Sequence, residues 1–413
     1  QWTEALPVGN GRLGAMVFGG VDAGRLQLNV DTLWTGAPRS YADPGAADYL
    51  PEIRRLLFAG KQEEAERLAA ERFMSAPLRQ MAYQPMGDLL LDFATGGEAT
   101  SYRRSLDLTT AIAQCTYQID GVTVRSECFA SYPDQALVYR LTSDQPGGLS
   151  LAARLSSPQR EIRVACLDDQ TLQMTGLVRD AKIRRVGTFE SKVRFAVCLT
   201  VLETDGEANA DAAGLSIRNA SMATIVVTAA TNFVDYQDLS ADPQARSRAD
   251  LEAVRGKTYA QLRQTHLTDY QPLFRRVALE LGPDVAGELP TDQRIVAYQT
   301  SHDPGLEEML FQYGRYLLIA SSRPGTQPAN LQGLWNDQLA PPWDSKHTTN
   351  INFEMNYWPA EPCHLPECHE PLFKATAELA ETGREVAAVH YDAPGWVVHH
   401  NFDLWRAAAP VNA

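Results

Sequence analysis

Cysteine is scarce in this sequence. Only six occur in 413 residues (Cys115, Cys128, Cys166, Cys198, Cys363 and Cys368), so disulfides are not expected to carry the fold. The pairs Cys363-His364 and Cys368-His369 match no common zinc spacing and have no second ligand pair downstream, so neither a metal nor any other cofactor is expected. No stretch reaches the roughly 18 unbroken apolar residues of a membrane helix. Positive charge is in deficit: the formal net charge is −14, which argues against nucleic acid as a partner. An initiator methionine and a signal-peptide pattern are also missing. The chain opens on Gln1 and stops at Ala413 in mid-pattern, as the front part of a longer polypeptide would.

What is present suits a packed protein of more than one domain, with 44% apolar and 21% charged residues. Residues 1–237 read mainly as β-structure. Thr109–Gln118 and Val122–Ala130 are rich in β-branched and aromatic residues and flank Asp120-Gly121, a two-residue hairpin signal. Further strands are expected at Ala136–Leu141, Leu149–Leu155, Val193–Val201 and Ala223–Thr228, an antiparallel sandwich by their spacing. One helical insertion is expected around Ile53, Leu56, Leu57, Ala65 and Leu68. Residues 238–292 then read as a helical linker, with an apolar stripe through Leu251, Val254, Tyr259, Leu262, Tyr270 and Leu273. Residues 293–413 carry further helices and a Pro/Gly/Asn-rich loop region. Strands followed by helices imply separate domains rather than alternating βαβ units.

Gly9-Asn10-Gly11-Arg12-Leu13-Gly14 matches the dinucleotide fingerprint, with Asp31 at about the expected distance. A strand-like Ala15–Gly20 follows it, where a phosphate-binding helix would have to begin. These glycines read instead as tight turns and close strand contacts. Residues 323–370 hold the densest chemistry. Trp335, Trp343, Trp358 and Tyr357 lie among five asparagines (330, 336, 350, 352 and 356) and several carboxylates. Flat aromatic faces and shared amide hydrogen bonds suit a pyranose. The plainer alternative is a set of tryptophans filling a domain interface. Asp337, Asp344, Glu354, Glu361 and Asp403 are the carboxylates available for acid or base work. No pair among them stands out, although Glu354 and Glu361 would share a face if one helix held both.

The sequence resembles glycoside hydrolase family 95, the inverting α-L-fucosidases with some α-L-galactosidases. The resemblance is carried in order by Trp2 with Glu4–Gly19, Leu28–Trp34, Tyr83–Leu89, Tyr102–Leu108, Asp269–Val277, Pro328–Asn336 and Asn350–Glu361. Val30 stands where the family usually has Glu. The resemblance implies an N-terminal antiparallel β-sandwich, a helical linker and a truncated start of an (α/α)6 barrel. It implies water attack from the face opposite the leaving sugar, with Asn350 and Asn352 as the two catalytic amides. A helping Asp and a general-acid Glu would lie beyond Ala413, so the 413 residues alone are expected to be inactive. Trp343, His347, Trp358, His400 and Asp403 are expected to contact sugar. The implied partner is a fucosylated oligosaccharide or glycan, and the implied location is extracellular or periplasmic. An α-L-galactosidase and a non-catalytic carbohydrate-binding chain are the alternatives.

Overall fold

A computed structural model describes residues 1–94, 97–183, 187–211 and 213–411; Asn412 and Ala413 lie outside the described residues. The first 231 residues form two large antiparallel sheets and a two-stranded one of Ala181–Ile183 with Gly187–Phe189. The smaller of the two large sheets runs, in spatial order, Leu6–Gly9, Leu13–Val17, Ala23–Val30, Gly87–Phe93, Leu149–Ser156, Gly214–Ala220 and Glu207–Asp211. The larger runs Arg160–Asp168, Thr171–Leu177, Arg194–Thr204, Met222–Thr231, Ala136–Ser143, Val122–Ser131, Ile112–Ile119 and Thr100–Asp107. The hairpin at Asp120-Gly121 is present, both residues having positive φ (50° and 83°). A type I′ turn requires that of its central pair.

Alternation along the central strands explains why they read as nearly continuous apolar runs. Val197, Leu199, Ile225 and Val227 face the core shared with the smaller sheet. Their neighbours Cys198 and Val226 face the other way, where they join Phe129 and Val138 under Leu251, Val254 and Leu262 of the linker helices. The centre of the larger sheet is thus buried on both faces, one against sheet and one against helix, while its edge strands Arg160–Asp168 and Thr100–Asp107 stay largely exposed.

Two helices, α1 (Ala46–Phe58) and α2 (Gln62–Arg72), replace the single expected insertion. Gly60, at φ 74°, turns the chain between them. The linker likewise divides, into α3 (Pro243–Val254) and α4 (Tyr259–Phe274), at Gly256 with φ 78°. Each has its own start signal. Asp242 accepts the amides of Gln244 and Ala245, and Thr258 forms a capping box with Gln261. A continuous apolar stripe hid this break because both helices lie on the same sheet. Then follow α5 (Thr291–Ala297), α6 (Pro304–Ser321), the short α7 (Asn352–Tyr357) and α8 (Glu370–Tyr391). No helix among the described residues is long and apolar enough to cross a membrane.

The glycine motif near the N-terminus is the seam between the two halves. A Cβ on Gly9 would stand 2.5 Å from the Ala320 carbonyl oxygen, and one on Gly14 2.8 Å from Leu334. Gly11 has φ 86°, and its amide donates to the Ala320 carbonyl at 2.8 Å. The first hairpin therefore has a bare surface on which the end of α6 and the following loop seat directly. No described helix begins within the motif.

Candidate active site

The loop from Arg323 to Asn352 is pinned to the β-sandwich by polar groups. Asn29 and Gln27 both donate to the Asn336 carbonyl (2.9 and 3.0 Å), and the Asn336 amide donates back to Asn29 Oδ1 at 3.1 Å. Trp335 Nε1 donates to the Val8 carbonyl at 2.9 Å, and the Tyr83 hydroxyl donates to the Leu334 carbonyl at 2.7 Å. Asp31 accepts the Gln327 amide at 2.8 Å while its other oxygen has no partner. Burial pushes its carboxyl up to about 6.

This scaffold sorts the five asparagines. The Asn336 side chain is spent on the Gln338 backbone, donating to its carbonyl and accepting its amide at 2.9 Å. Asn330 Oδ1 accepts from the Gln332 amide and the Ser345 hydroxyl (2.9 and 3.0 Å), and Asn356 Nδ2 donates to the Asn330 carbonyl at 3.0 Å. Asn350 and Asn352 remain. Asn350 lies in the turn after the two-residue strand His347–Thr348, and Asn352 is the first residue of α7. Neither side chain makes a hydrogen bond among the described residues, and neither is buried.

The tryptophans sort in the same way. Trp335 is 5% exposed and fills the interface, whereas Trp343 is 68% and Trp358 58% exposed. Trp343 sits on an unusual backbone. Trp343, Asp344 and Ser345 have φ of 49°, 58° and 52°, three successive residues in the left-handed region that side chains disfavour by about 1–2 kcal/mol each. The Asp344 carbonyl is held by the Tyr83 amide at 3.0 Å, and Ser345 by Asn330. Strain retained this way marks a segment whose shape matters to the site.

The strand His347–Thr348 pairs with Asn401–Phe402, and the Thr349 amide donates to the His400 carbonyl at 2.8 Å. This pairing brings His400 opposite Thr349, the residue before Asn350. The His400 ring is partly buried, and its pKa is lowered, chiefly by burial and then by the charge of Lys346.

Two expected sugar contacts are corrected by the geometry. Asp403 is fully buried and both its oxygens are taken, by the Tyr41 hydroxyl (2.6 Å) and the amides of Met81 (2.9 Å), Trp405 (3.0 Å) and Ala407 (3.4 Å). It anchors a buried loop. His347 is buried in an aromatic stack, with ring centroids 5.5 Å from Trp34 and 4.5 Å from Phe402. Neither ring nitrogen has a hydrogen-bond partner among the described residues, and the nearby Ala329 backbone only partly offsets the effect of burial. Burial depresses its pKa from 6.5 to about 3. The Glu354–Glu361 pairing also fails: α7 ends at Tyr357, and Glu361 binds His369 at 3.0 Å.

The depressed His347 pKa has a sign that can be tested. Below about pH 6.5 the unfolded chain takes up a proton that the folded ring refuses, so stability drains away as pH falls toward 3. His347→Phe should fit the same slot and, against wild type, gain up to about 2 kcal/mol at pH 5 relative to pH 7.5. Urea unfolding at the two pH values reads this directly, and equal gains at both would show that the ring does not titrate there.

No group of three or more metal-ligating side chains occurs among the described residues. The carboxyls with raised pKa are Asp31, Asp88 and Asp403. Asp31 and Asp403 are sealed in the fold, and Asp88 pairs with Arg25 at 2.7 Å. The described residues offer amides, aromatic faces, ring nitrogens and the carboxylates of Asp344 and Glu354 around this site.

Comparison with known proteins agrees with this layout. Residues 1–236 match the glycosyl hydrolase family 65 N-terminal domain, and residues 258–413 match the glycosyl hydrolase family 95 catalytic domain. Alpha-L-fucosidase 2 of Arabidopsis thaliana is 37% identical over 99% of this chain and 51% of its own length. The protein named probable alpha-fucosidase A in Aspergillus niger is 32% identical over 98% of this chain and 52% of its own. The chain thus spans about half the length of these relatives. A solved structure described as a kojibiose phosphorylase from the human microbiome superposes with a TM-score of 0.54 at 10% identity, covering 98% of this chain and 50% of that one. That likeness is one of fold, a β-sandwich followed by helices of the (α/α)6 barrel type. The chain thus joins an N-terminal domain of the glycosyl hydrolase family 65 type to catalytic-domain sequence of glycosyl hydrolase family 95.

Proposed function

We propose that the full-length gene product removes terminal α-L-fucose, α-1,2-linked, from oligosaccharides or glycans by a single displacement that inverts the anomeric centre. Asn350 and Asn352 orient the attacking water. The observation that carries this reading is the sorting of the asparagines: three are consumed by the scaffold, and the two that the family resemblance marks are free. An amide alone is a poor base, so a carboxylate must polarise it and another must protonate the leaving oxygen. By the family resemblance, both are assigned to the part of the family's catalytic domain beyond residue 413. Extracellular or periplasmic placement belongs to the same proposal.

The test is hydrolysis of 2′-fucosyllactose by the full-length gene product, followed by NMR from the first minutes. Initial release of β-L-fucose supports inversion and the linkage together. Initial α-L-fucose would refute the single displacement, and turnover confined to an α-L-galactoside would overturn the sugar assignment.

A further inference from the structure

Five basic side chains are buried among the described residues: Arg294, Arg315, Arg323, Lys346 and Arg406. A buried cation needs hydrogen bonds and a counter-charge to offset its lost hydration. Four of the five have both or an equivalent. Arg294 binds Asp303 and Asp284, Arg323 binds Asp269 through two nitrogens, Arg406 binds Glu378 and Gln327, and Arg315 caps the carbonyls of Leu273 and Cys363.

Lys346 is the exception. Its side chain is 2% exposed, yet Nζ makes no hydrogen bond among the described residues. Its one ionic neighbour is Asp344 at 3.5 Å, against 2.6–2.9 Å for every Lys or Arg ion pair elsewhere among them. The enclosed, unpaired polar atoms include both nitrogens of His347 but not Nζ, so the ammonium still meets solvent. Asp344 is 31% exposed and belongs to the strained left-handed turn that also holds out Trp343. The Lys346 charge also reaches the ring of His400, whose carbonyl accepts the Thr349 amide next to Asn350.

We propose that Lys346 and Asp344 together bind a vicinal diol of the sugar, a role that rests on the glycosidase reading. Nζ donates to one hydroxyl oxygen, and the Asp344 carboxylate accepts from the hydroxyl on the adjacent carbon. A donor and an acceptor 3.5 Å apart match two neighbouring ring hydroxyls, and the diol supplies the hydrogen bonds that Lys346 lacks. The turn's strain serves to keep Asp344 at this spacing instead of closing onto the ammonium.

The test is NMR titration of the full-length gene product with L-fucose, L-galactose and the 2-, 3- and 4-deoxy analogues of L-fucose. Wild type should bind two analogues, deoxygenated at adjacent carbons, at least tenfold more weakly than L-fucose. Lys346→Met should erase the penalty for one of them, and Asp344→Asn the penalty for the other. Lys346→Met should keep a thermal midpoint at or above wild type, since it removes a poorly paired buried charge; a purely structural lysine would lose stability and affinity together. Unchanged deoxy-sugar penalties in both variants would overturn the diol role while leaving the glycosidase reading intact. Failure of wild type to bind either L-fucose or L-galactose would overturn that reading, and this proposal with it. Asp344→Asn keeps the test decisive if Lys346→Met does not fold.

Discussion

Asn352→Ala is expected to lower fucoside turnover by the full-length gene product by about 10²–10³-fold while leaving its unfolding free energy within about 0.5 kcal/mol. The two halves of that expectation have one cause. An amide that makes no hydrogen bond in the folded chain has nothing to lose on truncation, so the fold should not register the change. A water held by the same amide loses its orientation in the transition state, and the rate should register it fully. Asn336→Ala provides the inverse control. Its side chain bonds the Gln338 backbone inside the seam (2.9 Å to both amide and carbonyl), and its removal should cost stability first. Kinetics and urea unfolding on the two variants separate the cases. Wild-type turnover in Asn352→Ala would remove that residue from the mechanism.

Trp335→Ala is expected to destabilise the protein by about 3–5 kcal/mol, the usual cost of emptying a buried aromatic site. Trp343→Ala and Trp358→Ala should each cost less than about 0.5 kcal/mol and show their effect in sugar binding. The three residues look alike in sequence, but Trp335 is buried with its Nε1 bonded to Val8, and the others stand exposed. Gly9→Ala should behave like Trp335→Ala, because its methyl would lie 2.5 Å from the Ala320 oxygen and would force the seam apart. Urea unfolding of the four variants checks the ranking. Equal stability losses at all three tryptophans would show that the exposed pair is structural.

The sheets were readable because alternation and the Asp120-Gly121 turn are local signals, visible in a few residues. The break between α3 and α4 was also local, at Gly256, but the stripe continuing across it concealed the change of direction. The site was legible in part. Composition marked the stretch around Asn350, and the family resemblance picked two amides from five. What separates the Asn336 side chain from that of Asn352 is a pair of bonds to the Gln338 backbone, two residues on, in a loop whose shape is set by Asn29 holding the Asn336 backbone from 307 residues away. Asp403 and His347 misled for the same reason. A carboxylate or an imidazole beside a cluster of sugar-suited residues looks functional until its burial is known, and burial is set by Tyr41, Trp34 and Phe402 from distant segments. Lys346 carried no signal in composition at all. A lysine between Ser and His reads as surface, and only its enclosure makes it conspicuous.

The seam between the first hairpin and the Asn336 loop also fixes an order of events. Asn29 and Asn336 are 307 residues apart, and a ribosome adding roughly 5–20 residues each second delivers the second some 15–60 s after the first. Throughout that interval the bare glycine surface at Gly9, Gly11 and Gly14 waits without its cover. The waiting sandwich then serves as a mould against which the amide-bearing loop takes shape as it emerges. A chain translated without its opening strands would make every residue of the candidate site and have nothing to press them into place.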